Sequence, residues 1–207
     1  MIISHLVASY GYWAVFVLVG MESLGIPLPG ETALIIAGAY AGSTHGLSPW
    51  AVFAVAAAGA VIGDNIGFWI GGKGGYRLAR RYGPKIRLDE RKLKIARYLF
   101  DRYGTRVVFF GRFTAVLRTY AAFLAGASRM SWRRFLPANA AGGIVWAGVY
   151  TIASYEAGDA LRRVSGSVGV VLTVAGVLAM VAAAMFIHRQ MAKLGPLAEA
   201  AYPGPLG

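Results

Sequence analysis

The sequence contains no cysteine. That removes a disulfide framework, a thiolate metal site and a cysteine nucleophile. Its three histidines, His5, His45 and His188, are too scattered for a histidine metal site, and no metal or other cofactor is expected. Charge is also scarce. Only 14% of the 207 residues are Asp, Glu, Lys or Arg, against about 25% in an ordinary soluble domain. A disordered chain and an ordinary soluble enzyme are both excluded by that composition. Positive charge is scarcest at the start, where no Lys or Arg precedes Lys73. The apolar first 21 residues therefore lack the cationic beginning and the small-residue cleavage site of a secretory signal, and are not read as one.

What the chain does contain is apolar surface and a concentrated block of cations. It is 57% hydrophobic with a formal net charge of +12. A basic soluble protein would point to nucleic acid. A basic protein this apolar points to a membrane with an anionic inner face, and no nucleic-acid partner is expected. Of the 21 Lys and Arg residues, 12 lie between Lys73 and Arg106, accompanied only by Asp89, Glu90 and Asp101. The positive-inside rule makes this 73–106 loop cytoplasmic, with anionic phospholipid as its expected partner.

Three stretches, 48–72, 132–155 and 166–188, reach the ~20 mostly apolar residues that a membrane-spanning helix needs. Two other apolar stretches are interrupted. Residues 20–42 contain Glu22, Pro27, Pro29, Gly30 and Glu31, and residues 105–128 contain Arg112 and Arg118. The Pro27-Leu28-Pro29-Gly30 break leaves an arm, Glu31–Ala41, of roughly 16 Å, about half the hydrocarbon thickness. A half-depth arm beside a helix break reads as a re-entrant hairpin, which survives only inside protein or beside a water-filled cavity. A re-entrant 105–128 also keeps Arg129, Arg133 and Arg134 on the same side as the basic loop, whereas a full span would put them outside. The N-terminal segment reads either as a span or as the first arm of a hairpin.

The same order of features recurs. Ala41-Gly42 corresponds to Ala125-Gly126 at an offset of 84, and Ala58-Gly59 to Ala141-Gly142 at 83. An odd number of spans between the copies inverts the second, giving an inverted-topology repeat. The expectation is an all-α polytopic membrane protein with two opposed re-entrant hairpins in an inverted repeat and three to four spanning helices. One membrane domain covers 1–190: a first repeat at 10–72, the basic loop at 73–104, a second repeat at 105–160 and a final span at 166–188. Residues 191–207 are expected to be a flexible tail. Within the loop, Leu93, Ala96, Leu99 or Phe100, and Tyr103 recur at helical spacing, so residues 88–103 read as an amphipathic helix lying on the inner leaflet.

The first 72 residues carry only three charges, all acidic and all within predicted membrane segments: Glu22, Glu31 and Asp64. A charge at bilayer depth costs roughly 2.5 kcal/mol or more, so such residues are candidates for function. Glu31 has a competing explanation as a helix cap, and Glu22 and Asp64 as members of internal ion pairs. Arg112 and Arg118 would face about 120° apart on a regular helix, so a break is needed to bring both into one cavity. Their planar guanidinium groups suit a phosphate, and neutralising the three acids is the alternative role. Asn139 is either a helix–helix hydrogen-bonding group or a member of the site. Gly59, Gly63, Gly67, Gly71 and Gly75 recur every four residues, as a helix-packing stripe or a surface for a lipid chain. Gly67 to Lys73 satisfies a G-x4-G-K pattern, but Gly74 replaces the required Ser or Thr at the end of an apolar helix, so nucleotide binding is not expected.

Several of these residues together carry a resemblance: Met21-Glu22, Pro27-Leu28-Pro29-Gly30-Glu31, Gly63-Asp64-Asn65-Ile66-Gly67-Phe68-Trp69-Ile70-Gly71, Gly111-Arg112, Arg118-Thr119-Tyr120, Ala125-Gly126, Asn139 and Trp146. In this order, over roughly residues 10–160, they resemble the DedA family, the bacterial branch of the VTT-domain superfamily. The resemblance implies opposed re-entrant hairpins and transport of a polyprenyl phosphate or phospholipid, in several members coupled to the proton motive force. It places the functional acids at Glu22 and Glu31 and the functional arginines at Arg112 and Arg118. The expected function is thus a lipid transporter of the bacterial inner membrane. Competing with it are a proton-coupled transporter of a small solute or ion, and a structural membrane protein whose buried charges only pair. With no nucleophile–base pair in view, an enzyme is not expected.

Overall fold

The computed structural model describes residues 2–26, 28–82, 90–113, 115–163, 196–198 and 200–203, and their regular structure is entirely helical. The predicted final span at 166–188 and Pro27 lie outside the described residues. Among the described residues seven helices follow in order: α1 (Ile2–Leu24), α2 (Gly30–Thr44), α3 (Pro49–Tyr82), α4 (Glu90–Tyr103), α5 (Thr105–Gly111), α6 (Ala115–Ala127) and α7 (Trp132–Arg163). Among the described residues, two stretches, Pro49–Gly75 and Trp132–Ala160, are long and apolar enough to cross a membrane. Each extends past the predicted 48–72 and 132–155 spans. Gly75, at φ 56°, kinks α3 where the basic block begins. α1 is one unbroken helix, so the sequence break belongs to residues 25–29.

The breaks have local causes. α1 ends in a Schellman arrangement, with the Ile26 N–H donating to Met21 O, the Gly25 N–H donating to Glu22 O, and Gly25 at φ 108°. α6 ends the same way: the Met130 N–H donates to Ala125 O, the Arg129 N–H to Gly126 O, and Arg129 is left-handed at φ 57°. α2 stops at a left-handed His45, φ 56°, whose N–H donates to Ala41 O. Thus Gly42 and Gly126 are each followed three residues later by a left-handed residue, at the same offset of 84 found in the sequence.

The long helices are antiparallel. The Trp132 indole N–H donates to Asn65 Oδ1 at 2.8 Å, the Phe135 ring stacks on Phe68 at 4.4 Å, and Gly148 faces Phe53. The shorter helices pack crosswise. α1 lies along α3, through Phe16 and Gly20 against Gly59 and Gly63, while α2 crosses to α7, where Gly42 meets the Tyr155 carbonyl and Gly158 the Ala39 carbonyl. In the other half α5 lies along α7, with the Phe109 carbonyl against Gly142. There α6 crosses to α3, where Gly126 meets the Phe68 carbonyl and Gly71 the Phe123 carbonyl. Each long helix therefore holds the first arm of its own half and the second arm of the other. The Ala-Gly pairs that marked the repeat in the sequence mark the same contact twice.

Two apolar cores result. One joins α1, α2, the start of α3 and the end of α7 around Val19, Leu34, Ala56 and Trp146. The other joins α4, α5, α6, Phe68 and Phe135. This corrects the reading of α4 as a leaflet helix, because its apolar residues Ile95, Leu99 and Phe100 are buried against the protein itself. The expected flexible tail also differs. Ala198 is buried in the same core, and the Tyr202 hydroxyl donates to Asp101 Oδ2 on α4, so a helical turn at 196–198 docks there.

The glycine stripe is not uniform. A Cβ on Gly71 would collide with the Phe123 carbonyl, whereas one on Gly67 would sit 3.5 Å from Leu24 O in ordinary contact. Gly71→Ala should cost about 1–3 kcal/mol by overpacking. Gly67→Ala should be neutral or stabilise by up to about 1 kcal/mol through helix propensity. Thermal unfolding of the two purified variants in one detergent checks this, and equal melting temperatures would contradict it.

Candidate functional site

Five of the sequence's scarce internal charges converge as two clusters. In the first, Arg112, at the break between α5 and α6, forms an ion pair with Asp64 of α3. The Arg112 Nη2 donates to Asn139 Oδ1 of α7 at 2.8 Å and to Ala60 O at 3.4 Å, and Asn139 Nδ2 donates to Val61 O at 3.5 Å. All three side chains are buried: Arg112 and Asp64 are each 4% exposed and Asn139 1%. Gly142 and Gly143 let the Arg112 side chain through, since a Cβ on Gly142 would stand 3.2 Å from Arg112 Cδ. One positive and one negative charge thus cancel in a sealed space, with an amide adding hydrogen bonds, while the buried Arg112 Nε–H has no partner.

In the second cluster Arg118 of α6 holds two carboxylates, Glu22 of α1 through Nη2 and Glu31 of α2 through Nη1. The Glu31 N–H donates to Glu22 Oε2 at 2.9 Å, so Glu22 also caps the start of α2, which has no side-chain cap from Pro29. Gly30, predicted as a break residue, is the first residue of α2. Its importance is space: a Cβ there would stand 2.6 Å from Glu22 Oε2 and 2.7 Å from Leu18 O. The Arg118 guanidinium also lies 5.7 Å from the Trp146 ring centroid, within cation–π range. This cluster is the more open one. The Arg118 side chain is 14% exposed and that of Glu31 30%. Its formal charge, with both acids ionised, is −1.

The structure therefore brings Glu22, Glu31 and Arg118 together, and separately Asp64, Arg112 and Asn139. Arg112 and Arg118 thus bind different acids. Every one of these ion pairs joins an acid of the first half to an arginine of the second. Trp146 beside Arg118, and Asn65 bridging to Trp132, were not singled out as site residues from the sequence. A nitrogen-bearing aromatic and an amide inside apolar spans were the available signals. Among the described residues, no group of three metal-ligating side chains occurs.

The VTT domain family matches residues 28–156. Rv2637, an uncharacterized membrane protein of Mycobacterium tuberculosis, is 42% identical over 192 residues, 88% of this chain and 87% of its own. The uncharacterized membrane protein slr0232 of Synechocystis is 41% identical over 156 residues, 75% of this chain and 71% of its own. Protein DedA of Escherichia coli is 30% identical over 160 residues, 74% of this chain and 73% of its own. No solved structure matches the chain. The chain belongs to the VTT-domain class and, within it, to the DedA family of membrane proteins.

Removing one partner of a sealed ion pair strands the other charge, at about 3–5 kcal/mol. Asp64→Leu should lose stability on that scale, and the double variant Asp64→Leu/Arg112→Leu should lose less than either single change. Denaturation of the three proteins in detergent tests it. A double variant as unstable as the sum of the singles would show that the pair is not coupled.

Proposed function

We propose that the protein carries an anionic lipid, a polyprenyl phosphate or a phospholipid, across the bacterial inner membrane, with Arg118 as the residue that holds the phosphate. The observation that carries this reading is the contrast between the two arginines. Arg112 is closed in by Asp64 and Asn139, whereas Arg118 is partly open and holds two carboxylates where one would neutralise it. A guanidinium binds phosphate in the same two-pronged way as carboxylate, so an anionic headgroup competes directly with Glu22 and Glu31. Glu31 is the more exposed of the two and is the one that yields.

Proton coupling follows from that competition. Protonating Glu31 or Glu22 removes its charge, weakens its hold on Arg118 and frees donors for phosphate. Deprotonation expels the headgroup again. The lipid chain stays in the bilayer throughout. Because Arg118 ties the first half to the second, exchanging a carboxylate for a ligand also loosens the seam between the halves, which alternating access requires.

The membrane placement rests on the same packing. The start of α7 lies beside the second half of α3, through Trp132 to Asn65 and Phe135 to Phe68, which puts Arg129, Arg133 and Arg134 at the same end as Lys73. A re-entrant α5–α6 unit satisfies that adjacency, and α1–α2 is its inverted counterpart. The basic 73–106 loop and the C-terminus are then cytoplasmic.

The test is reconstitution in liposomes with a panel of polyprenyl phosphates and glycerophospholipids, with and without a pH gradient. Wild type should move an anionic lipid faster with the gradient. Folded Arg118→Ala should move none, and Glu31→Gln should move lipid with a weakened response to the gradient. Equal transport by Arg118→Ala and wild type would overturn the proposal.

A further inference from the structure

Among the described residues, two grooves lie along the seam of the antiparallel long helices. The first, about 440 Å³, lies between the second half of α3 and the start of α7, with Asn65, Trp69, Lys73, Trp132 and Leu136 in its lining. The second, about 470 Å³, lies between the start of α3 and the end of α7, with Pro49, Phe53, Gly148, Ile152 and Glu156 in its lining. The two linings are the same positions of the repeat. A shift of 83 residues carries Asn65 onto Gly148, Trp69 onto Ile152, Lys73 onto Glu156, Pro49 onto Trp132 and Phe53 onto Leu136. That is the shift relating Ala58-Gly59 to Ala141-Gly142. Because α3 and α7 run in opposite directions, the grooves open at opposite ends of the pair, one toward each leaflet.

Both grooves have apolar walls, and both volumes lie in the range of ligand sites, roughly 300–1,000 Å³. Their mouths differ in charge. Lys73 stands at the first, and the nearby start of α7 exposes Arg133 and Arg134. There Trp132 is fixed by its bond to Asn65, and tryptophan favours the level of lipid headgroups. At the second mouth the lysine position is Glu156, exposed, and Gly148 cannot supply the bond that Asn65 makes.

We propose that these grooves are paired lipid-chain sites, and that the Lys73 groove seats an anionic phospholipid, its phosphate on the lysine ammonium, while Glu156 makes the mate reject one. This rests on the membrane placement of α3 and α7, not on transport at Arg118. One lysine near a headgroup is worth roughly a fivefold preference for the anionic lipid.

The chain has no cysteine, so a single one can be labelled. Ile66→Cys in the first groove and Ile152→Cys in the second, each carrying a bimane label, are reconstituted as full-length protein in phosphatidylcholine vesicles. Brominated-chain phosphatidylglycerol or brominated-chain phosphatidylcholine is then added at equal fractions. At Ile66→Cys, half-quenching should need roughly fivefold less phosphatidylglycerol than phosphatidylcholine. Lys73→Gln should erase that preference and Lys73→Arg keep it. Ile152→Cys should show no preference for phosphatidylglycerol until Glu156→Lys is added. The same preferences should persist in Arg118→Ala, which separates this proposal from the transport reading. Equal quenching by the two lipids at Ile66→Cys, or a preference that survives Lys73→Gln, would overturn it.

Discussion

The structure depends on charges held in pairs and largely out of water. Two arginines of the second half are bonded to three carboxylates of the first, between two apolar cores. An unpaired charge in that position is costly, so each half is incomplete without the other. The pairing also specifies how the halves dock. Asp64 admits Arg112 only if the α5–α6 break lies against the middle of α3, and Glu22 and Glu31 reach Arg118 only if α6 crosses to the first half. The two clusters divide the work. Asp64, Arg112 and Asn139 form a closed polar joint. Glu22, Glu31 and Arg118 form an open one with a carboxylate to spare.

Backbone contact makes this docking possible. Helices in lipid gain little from burying apolar side chains against one another, so close approach through small residues matters more. Gly42 and Gly126 perform the same task in the two halves, each lying on a carbonyl of the opposite long helix. Gly30 brings α2 against α1 so that the Glu22 carboxylate reaches the α2 N-terminus and Arg118 at once. The glycines and charges are therefore one design: the first bring backbones together, and the second use the proximity.

Much of this was legible from residue scarcity. In a chain with so few charges, the acids and arginines inside apolar segments stood out, and all five enter the two clusters. The all-helical character and two of the long apolar helices followed from hydropathy, and the Ala-Gly pairs at an offset of 84 fall at matching helix contacts. Which arginine meets which acid was not legible, because it depends on how four helices cross. Arg112 and Arg118 looked like one phosphate site by type, but a six-residue separation spanning a helix break sends them to different partners. The face of α4 was misread for a different reason. Ile95, Leu99 and Phe100 make a stripe that is equally content against lipid or protein, and hydrophobic periodicity does not distinguish the two. Ala198 and Tyr202 in a proline-containing tail gave no periodic signal at all.

The central claim is that the Glu22–Arg118–Glu31 cluster exists to exchange a carboxylate for a lipid phosphate, not merely to neutralise itself. A charge reversal separates these roles, since Glu22→Arg with Arg118→Glu restores an attractive pair but moves the cation from α6 to α1. The decisive measurement is lipid transport by the double variant in liposomes, alongside its thermal stability and those of the two single variants. The account predicts that the double variant recovers most of the stability lost by the singles yet moves no anionic lipid. Recovery of transport together with stability would contradict it and leave the cluster with a purely structural role.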